Sequence, residues 1–205
     1  MGFLRDIFGP SKDEIWQQVA NEIGGKFEDK GWFEKDVLRF KSGQWEITLD
    51  TFTRSSGNNN HSTYTRMRVP FVNRDGLRFE IYEEGIFSSI GKYFGMQDIV
   101  VNDRFFDDKY IIKGNQPERV RLLLQDENLQ ELINIQNDIQ FSVKDDEGWF
   151  GASFPEGVDE LYFECYGVMK DVDELKYLFE LFSATLERLV EIDSAYETNP
   201  RIRLN

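Results

Sequence analysis

The segment NDRFFDDK, residues 102–109, brings Asp103, Asp107 and Asp108 close together in the chain. A second acidic group, Asp145, Asp146 and Glu147, precedes Gly148. Such carboxylates could hold a hard cation or do acid–base work, which would make the protein an acid- or metal-dependent hydrolase. Neither group has the ligand spacing of a calcium loop, with its central glycine and final glutamate. Aspartate also starts turns and caps helices. The expected role of these acids is to punctuate the backbone, and no metal site is assigned.

His61 is the single histidine. Its ring type suits proton transfer near neutral pH. Ser55, Ser56 and Ser62 are close in sequence, but no nucleophile-elbow pattern surrounds them. An exposed loop residue is expected. Cys165 lies in the apolar run LYFECYGV, with no second cysteine to pair or share a metal; it reads as a small core residue. Gly24-Gly25 follow a helical pattern, and Gly85, Gly91 and Gly95 lack the Lys-Ser/Thr ending of a phosphate loop. No catalytic residue and no cofactor are assigned.

The remaining chemistry lies in arginine and tyrosine. Residues 51–79 hold five arginines and one acid, Asp75. If the strands around 45–54, 62–72 and 77–83 are neighbours, Tyr64, Arg66, Arg68, Arg78 and Tyr82 share one surface. Guanidinium forks and aromatic faces there could take a small anionic ligand or an acidic protein partner. Glu46, Asp50 and Glu80 fall on the same face, so cross-strand pairing is the competing role for these arginines.

These positions depend on strands set out by alternation. Trp45, Ile47, Leu49, Thr51 and Thr53 form one face of a strand, and Thr63, Thr65, Met67, Val69 and Phe71 one face of the next. Leu77, Phe79 and Ile81 alternate in a third. The turns SSGNNNH and Asn73-Arg74-Asp75-Gly76 separate them. Ser11-x-x-Glu14 is a capping box that opens a helix over 11–23. A short helix is expected over 85–95 and a short strand over Asp98–Val101. Asn115 is the expected cap of a helix that carries Val120, Leu123, Leu124, Leu129, Leu132 and Ile133. Strands follow at Ile139–Val143, Trp149–Ala152 and Leu161–Val168. Asp171 or Asp173 then caps a long final helix over 171–193. The tail after Ala195 reads as loose.

Strands and helices come in blocks without regular βαβ alternation. That predicts an α+β protein: a mainly antiparallel sheet with an N-terminal helix, central helices and a long C-terminal helix packed on it. The 205 residues suit a single domain. Two lobes are the alternative division, 11–95 with a helix and meander and 98–195 with mixed structure.

Composition narrows the function further. The formal charge is −14, and residues 91–205 carry 24 acids against 12 bases. Such a field repels phosphate backbones, so nucleic acid is not an expected partner. No long apolar run suggests a membrane span, and membrane contact is not expected. One cysteine fits a reducing, cytoplasmic setting. The 18 phenylalanines leave room for a carrier of an apolar or amphipathic small molecule.

The pattern Phe106-Asp107-x-x-Tyr110-x-Ile112-x-Gly114-Asn115, followed by Val120, Leu123-Leu124 and Leu132, resembles a widespread family of uncharacterised bacterial proteins. The resemblance implies a bacterial origin and supplies no catalytic residue. Many members look membrane-anchored; this sequence departs from them in lacking a run long enough for a spanning helix, so their location is not carried over. The expectation from the residues themselves is a non-catalytic binding or protein-interaction module.

Overall fold

The computed structural model describes residues 9–31, 35–56, 60–83, 97–145 and 154–204. Helix α1, Lys12–Ile23, begins at the expected box: Ser11 Oγ accepts the Glu14 N–H at 3.2 Å, and Glu14 accepts the Ser11 N–H at 3.0 Å. Ile15, Trp16, Val19 and Ala20 bury its inner face. Gly24 ends it in the left-handed region, where a side chain is strained.

Four strands follow: β1 Lys26–Glu28, β2 Val37–Ser42, β3 Trp45–Ser56 and β4 Asn60–Asn73. β2, β3 and β4 each pair antiparallel with the strand before them. The chain continues through β5 Phe79–Glu83, β6 Gln97–Asp98, α2 Arg104–Lys109, β7 Tyr110–Gly114, α3 Pro117–Leu124, α4 Glu127–Ile135, β8 Gln140–Lys144, β9 Val158–Tyr166, α5 Val172–Glu191 and β10 Ala195–Tyr196. The architecture is the expected α+β, with one ten-stranded antiparallel sheet.

The strand order is β1-β2-β3-β4-β9-β8-β5-β7-β6, and β10 lies beside the end of β4. This corrects the expected three-strand meander. β5 does not pair with β4, because β9 and β8 stand between them. The separation is three strand spacings, about 14 Å. Residues 74–78 can span about 20 Å, so the connection crosses the end of the sheet. Leu77 is buried in that crossing. Sequence from both halves therefore enters one sheet.

Alternation gives the sheet an apolar face of Ile47, Leu49, Met67, Val69, Phe163, Phe141 and Ile81, all nearly without solvent contact. The long helix α5 packs on it: Phe179 meets Phe40 with ring centroids 5.7 Å apart, and Phe182 meets Phe141 at 5.6 Å. α1 and α4 lie beside α5, and α2 and α3 adjoin β7. Asp171 is the cap of α5, accepting the Glu174 N–H at 2.8 Å.

Several boundaries differ from expectation. Asp107 and Asp108, expected to punctuate the backbone as a turn, belong to helix α2. The region expected as one helix is two, restarted by Asp126, which accepts the Leu129 N–H at 3.1 Å. Gln116, not Asn115, precedes α3. Asn115 instead clamps the crossing loop, accepting from Arg78 N and donating to the Gly76 carbonyl, both at 2.8 Å. The helix expected over 85–95 and the strand expected at Trp149–Ala152 lie outside the described residues.

Gly114 shows how tightly this region packs. A Cβ there would lie 2.8 Å from Val120 and 2.9 Å from Ile99 side-chain carbons. Gly114→Ala is expected to cost about 1–3 kcal/mol by overpacking. Chemical denaturation checks this, and an unchanged midpoint would show that the neighbours yield freely.

Candidate functional site

The second face of the sheet carries Thr48 and Asp50 on β3, Arg66 and Arg68 on β4, and Glu160, Tyr162 and Glu164 on β9. Gln140, Ser142 and Lys144 on β8 and Glu80 and Tyr82 on β5 continue it. Alternation explains why these residues share a face. It does not explain why nearly all are buried: Asp50 is 1% exposed, Arg68 3% and Glu164 1%. A buried charge is tolerated only when paired and hydrogen-bonded.

The pairing is dense. Arg66 grips Asp50 with two bonds, Nε to Oδ1 at 2.8 Å and Nη2 to Oδ2 at 2.7 Å. Arg68 Nη2 donates to the same Oδ2 at 2.8 Å. Arg54 grips Glu164 with two bonds of 2.8 Å. Tyr162 donates its hydroxyl to Glu164 at 2.6 Å. Burial, with the Glu164 carboxylate beside it, pushes the Tyr162 phenol far above its ordinary range. Burial pulls the Arg54 guanidinium down, but Glu164 outweighs it and the net direction is up. Lys144 lies over the Tyr162 ring, 2.9 Å from its centroid.

An aromatic row borders these charges. Phe52 stacks on Tyr64 at 5.4 Å, and Tyr64 meets Tyr166 edge-on at 5.7 Å. Arg54 lies over both Phe52 and Tyr64, and Arg66 over Phe52.

The structure separates the residues expected to form one surface. Tyr64, Arg66 and Arg68 are together on β4. Tyr82 shares their face but is three strands away, with Lys113 over its ring. Arg78 lies at the crossing loop, paired with Asp145 at 2.8 Å and Asp159 at 3.4 Å. Both arginines of the β4 group spend their forks on Asp50. The competing role, cross-strand pairing, accounts for them.

Unneutralised positive charge gathers elsewhere on the same face. At the β1 end a cleft of about 520 Å³ is lined by Lys26, Arg39, Lys41, Arg201 and Arg203, with Glu28 and Glu46 as the carboxylates that line it among the described residues. Pro70, Pro200 and Ile202 add apolar wall. Lys26 and Arg39 are cross-strand partners, as are Lys41 and Glu46. The far wall is the C-terminal tail. The tail is docked, which corrects the expectation that it is loose: Leu204 is buried, and its carbonyl accepts from Arg39 Nη2 at 2.7 Å. Glu28 meets Lys26 at 3.0 Å, and Arg39 and Arg203 at 3.6 Å. The Lys26 hydrogen bond first, then the charges of Lys26, Arg39 and Arg203, hold its carboxyl below the ordinary range. Sequence reasoning missed this site because Arg39 and Arg203 are far apart in the chain. The alternation of Val37, Arg39 and Lys41, and Arg201-x-Arg203 in an acidic half, were the available signals.

The other candidates have structural roles. Asp103 caps α2 through the Phe106 N–H at 3.0 Å. Asp107 accepts the N–H groups of Val101 and Asn102 at 2.8 and 3.0 Å. Asp108 faces Arg104 at 3.7 Å. Asp146 and Glu147 lie outside the described residues. Among the described residues no group of three or more His, Cys, Asp or Glu side chains is placed to hold a metal ion. His61 is exposed on β4 opposite Ser55, not in the loop where it was expected. Burial raises the Cys165 thiol to about 12, so it stays protonated near neutral pH. Among the described residues no helix is long and apolar enough to cross a membrane.

The fold thus defines an α+β protein with one helix-covered sheet face and one charged face. It is similar to the crystal structure of the mycobacterial trehalose monomycolate transport factor A, TtfA, with a TM-score of 0.51 and 6% identity, over 94% of this chain and 98% of that one. At that identity the likeness is one of fold. No protein-family model and no curated protein matches the sequence.

Asp50→Asn would leave two guanidiniums, that of buried Arg68 and that of partly buried Arg66, short of their counter-charge. It is expected to cost about 3–5 kcal/mol, read as a lowered denaturant midpoint. A loss under about 1 kcal/mol, the size typical of a surface pair, would mean that water reaches this layer.

Proposed function

We propose that this protein is a non-catalytic binding module whose ligand is negatively charged and enters the cleft between β1–β4 and the C-terminal tail. The observation that carries this reading is the charge of that cleft: among the described residues five cations line it against two carboxylates, in a chain of formal charge −14. Low-dielectric walls concentrate such a field and attract anions. The volume is that of a small-molecule site, not of a protein-sized surface. The commitment of Asp103 and Asp107 to backbone groups argues against the hydrolase alternative.

A second reading has its own support. Pro70, Pro200 and Ile202 give the cleft an apolar wall, which suits an amphipathic ligand and a carrier role. The likeness of the fold to a transport factor fits that role. A single buried thiol suits the cytoplasm. Kinship with the bacterial family that the Phe106–Asn115 pattern resembles is part of the same proposal and rests on that motif.

Thermal unfolding in a panel of anionic, neutral and cationic small molecules tests the sign of the ligand. A matching anion at about 100 times its Kd is expected to raise Tm by about 5–10 °C. Lys26→Glu with Lys41→Glu is expected to abolish that shift. Stabilisation by cations alone, or by no anion in the panel, would contradict the reading.

A further inference from the structure

Resting on that reading, we propose that the cleft is an oxyanion site of the phosphate type, clamped between Lys41 of β2 and Arg201 of the C-terminal tail. Three observations support it.

First, the carboxylates of the cleft are already engaged. Glu28 is shared by Lys26, Arg39 and Arg203. Glu46 meets Arg39 Nη1 at 3.1 Å. Among the described residues Lys41 and Arg201 form no ion pair, although Glu46 stands opposite Lys41 across the strands and turns to Arg39 instead. Two positive charges on facing walls therefore lack a counter-ion in a concave site.

Second, Arg39 fixes the floor of the site. Its side chain is 6% exposed. Nη1 donates to Glu46 and Thr48, Nη2 donates to Leu204, and Nε faces Glu28 Oε2 at 3.6 Å. The two carboxylates are thereby held by Arg39, and the cations left to a ligand are Lys41 and Arg201. A compact oxyanion offers several acceptor oxygens and opposite charge together, which a neutral apolar ligand or a cation does not.

Third, the tail is built to hold Arg201 in place. It is fastened on one side by the pairing of β10 with β4 and on the other by Arg39 and Leu204. Between them Asn199 Oδ1 accepts the Arg201 N–H at 2.6 Å, and Arg201 adopts φ 58°. A non-glycine residue in the left-handed region is strained, and it persists only where the surroundings fix it. The tail is thus half of the site as well as its cover.

Calorimetry of the full chain with inorganic pyrophosphate at low salt tests the proposal, together with hydrogen exchange over residues 197–204. Saturable binding is expected, with slowed exchange in the tail. Lys41→Ala and Arg201→Ala are each expected to weaken binding by about tenfold or more. Arg201→Gly removes the charge while suiting the left-handed backbone, so its loss of binding cannot be ascribed to misfolding. Lys176→Ala, on α5, is expected to leave binding unchanged.

Vesicles of phosphatidic acid, compared with phosphatidylcholine, separate the two sources of such a group. Retention that pyrophosphate competes away assigns a lipid headgroup, and absence of retention assigns a soluble phosphate compound. Unchanged pyrophosphate binding in Arg201→Gly would overturn the clamp. Binding of a dicarboxylate but not of pyrophosphate would overturn the phosphate-type ligand and leave the anionic reading standing. Binding of neither would overturn both.

Discussion

The molecule depends on keeping one face of a ten-stranded sheet charged and yet almost dry. Asp50, Arg68 and Glu164 sit there with little exposure. Each would be intolerable alone, so each is tied across strands. Such pairs add little net stability compared with apolar residues of the same shape. What they impose is register. A one-residue slip of β3, β4 or β9 would send Asp50, Arg66 or Glu164 into the layer of Met67, Phe163 and Phe141, where α5 packs.

The same constraint locates the cleft. In the middle of the sheet every strand has two neighbours, and charges pair on both sides. At the β1 end the strands shorten, and β1 pairs over only Lys26–Glu28. Cross-strand partners run out there. The tail arrives with Arg201 and Arg203, adding positive charge to a place that already holds Lys26, Arg39 and Lys41. A fold that had only to neutralise itself would bring carboxylates to this corner, and the acidic second half has many to offer.

Much of the architecture was legible from local chemistry. The Ser11 box, the Asp171 cap and the alternation of β3 and β4 each depend on contacts within a few residues, and each formed. The sheet order was not legible, because it depends on β9 finding the free edge of β4 across some 90 residues of chain. The polar face was foreseen around Tyr64, Arg66 and Arg68, but alternation reveals a face and not its partners. Asp50 was visible there, yet only register shows that it meets both arginines. The tail was misread for a similar reason. Its composition is polar, and what docks it is a single buried guanidinium reached from β2, together with Leu204. Arg201 and Arg203 therefore counted for nothing in the sequence, while in the fold they complete a wall.

The likeness to TtfA, at 6% identity, is one of fold and does not extend to the residues of the cleft. Among the described residues the charged face pairs its own charges across the middle of the sheet and leaves an excess of positive charge at the tail cleft. Anomalous diffraction from a crystal soaked in tungstate, a tetrahedral oxyanion, tests it most directly. The account predicts a tungsten peak between Lys41 and Arg201. A peak at Arg54 and Arg66 with none in the cleft would contradict it.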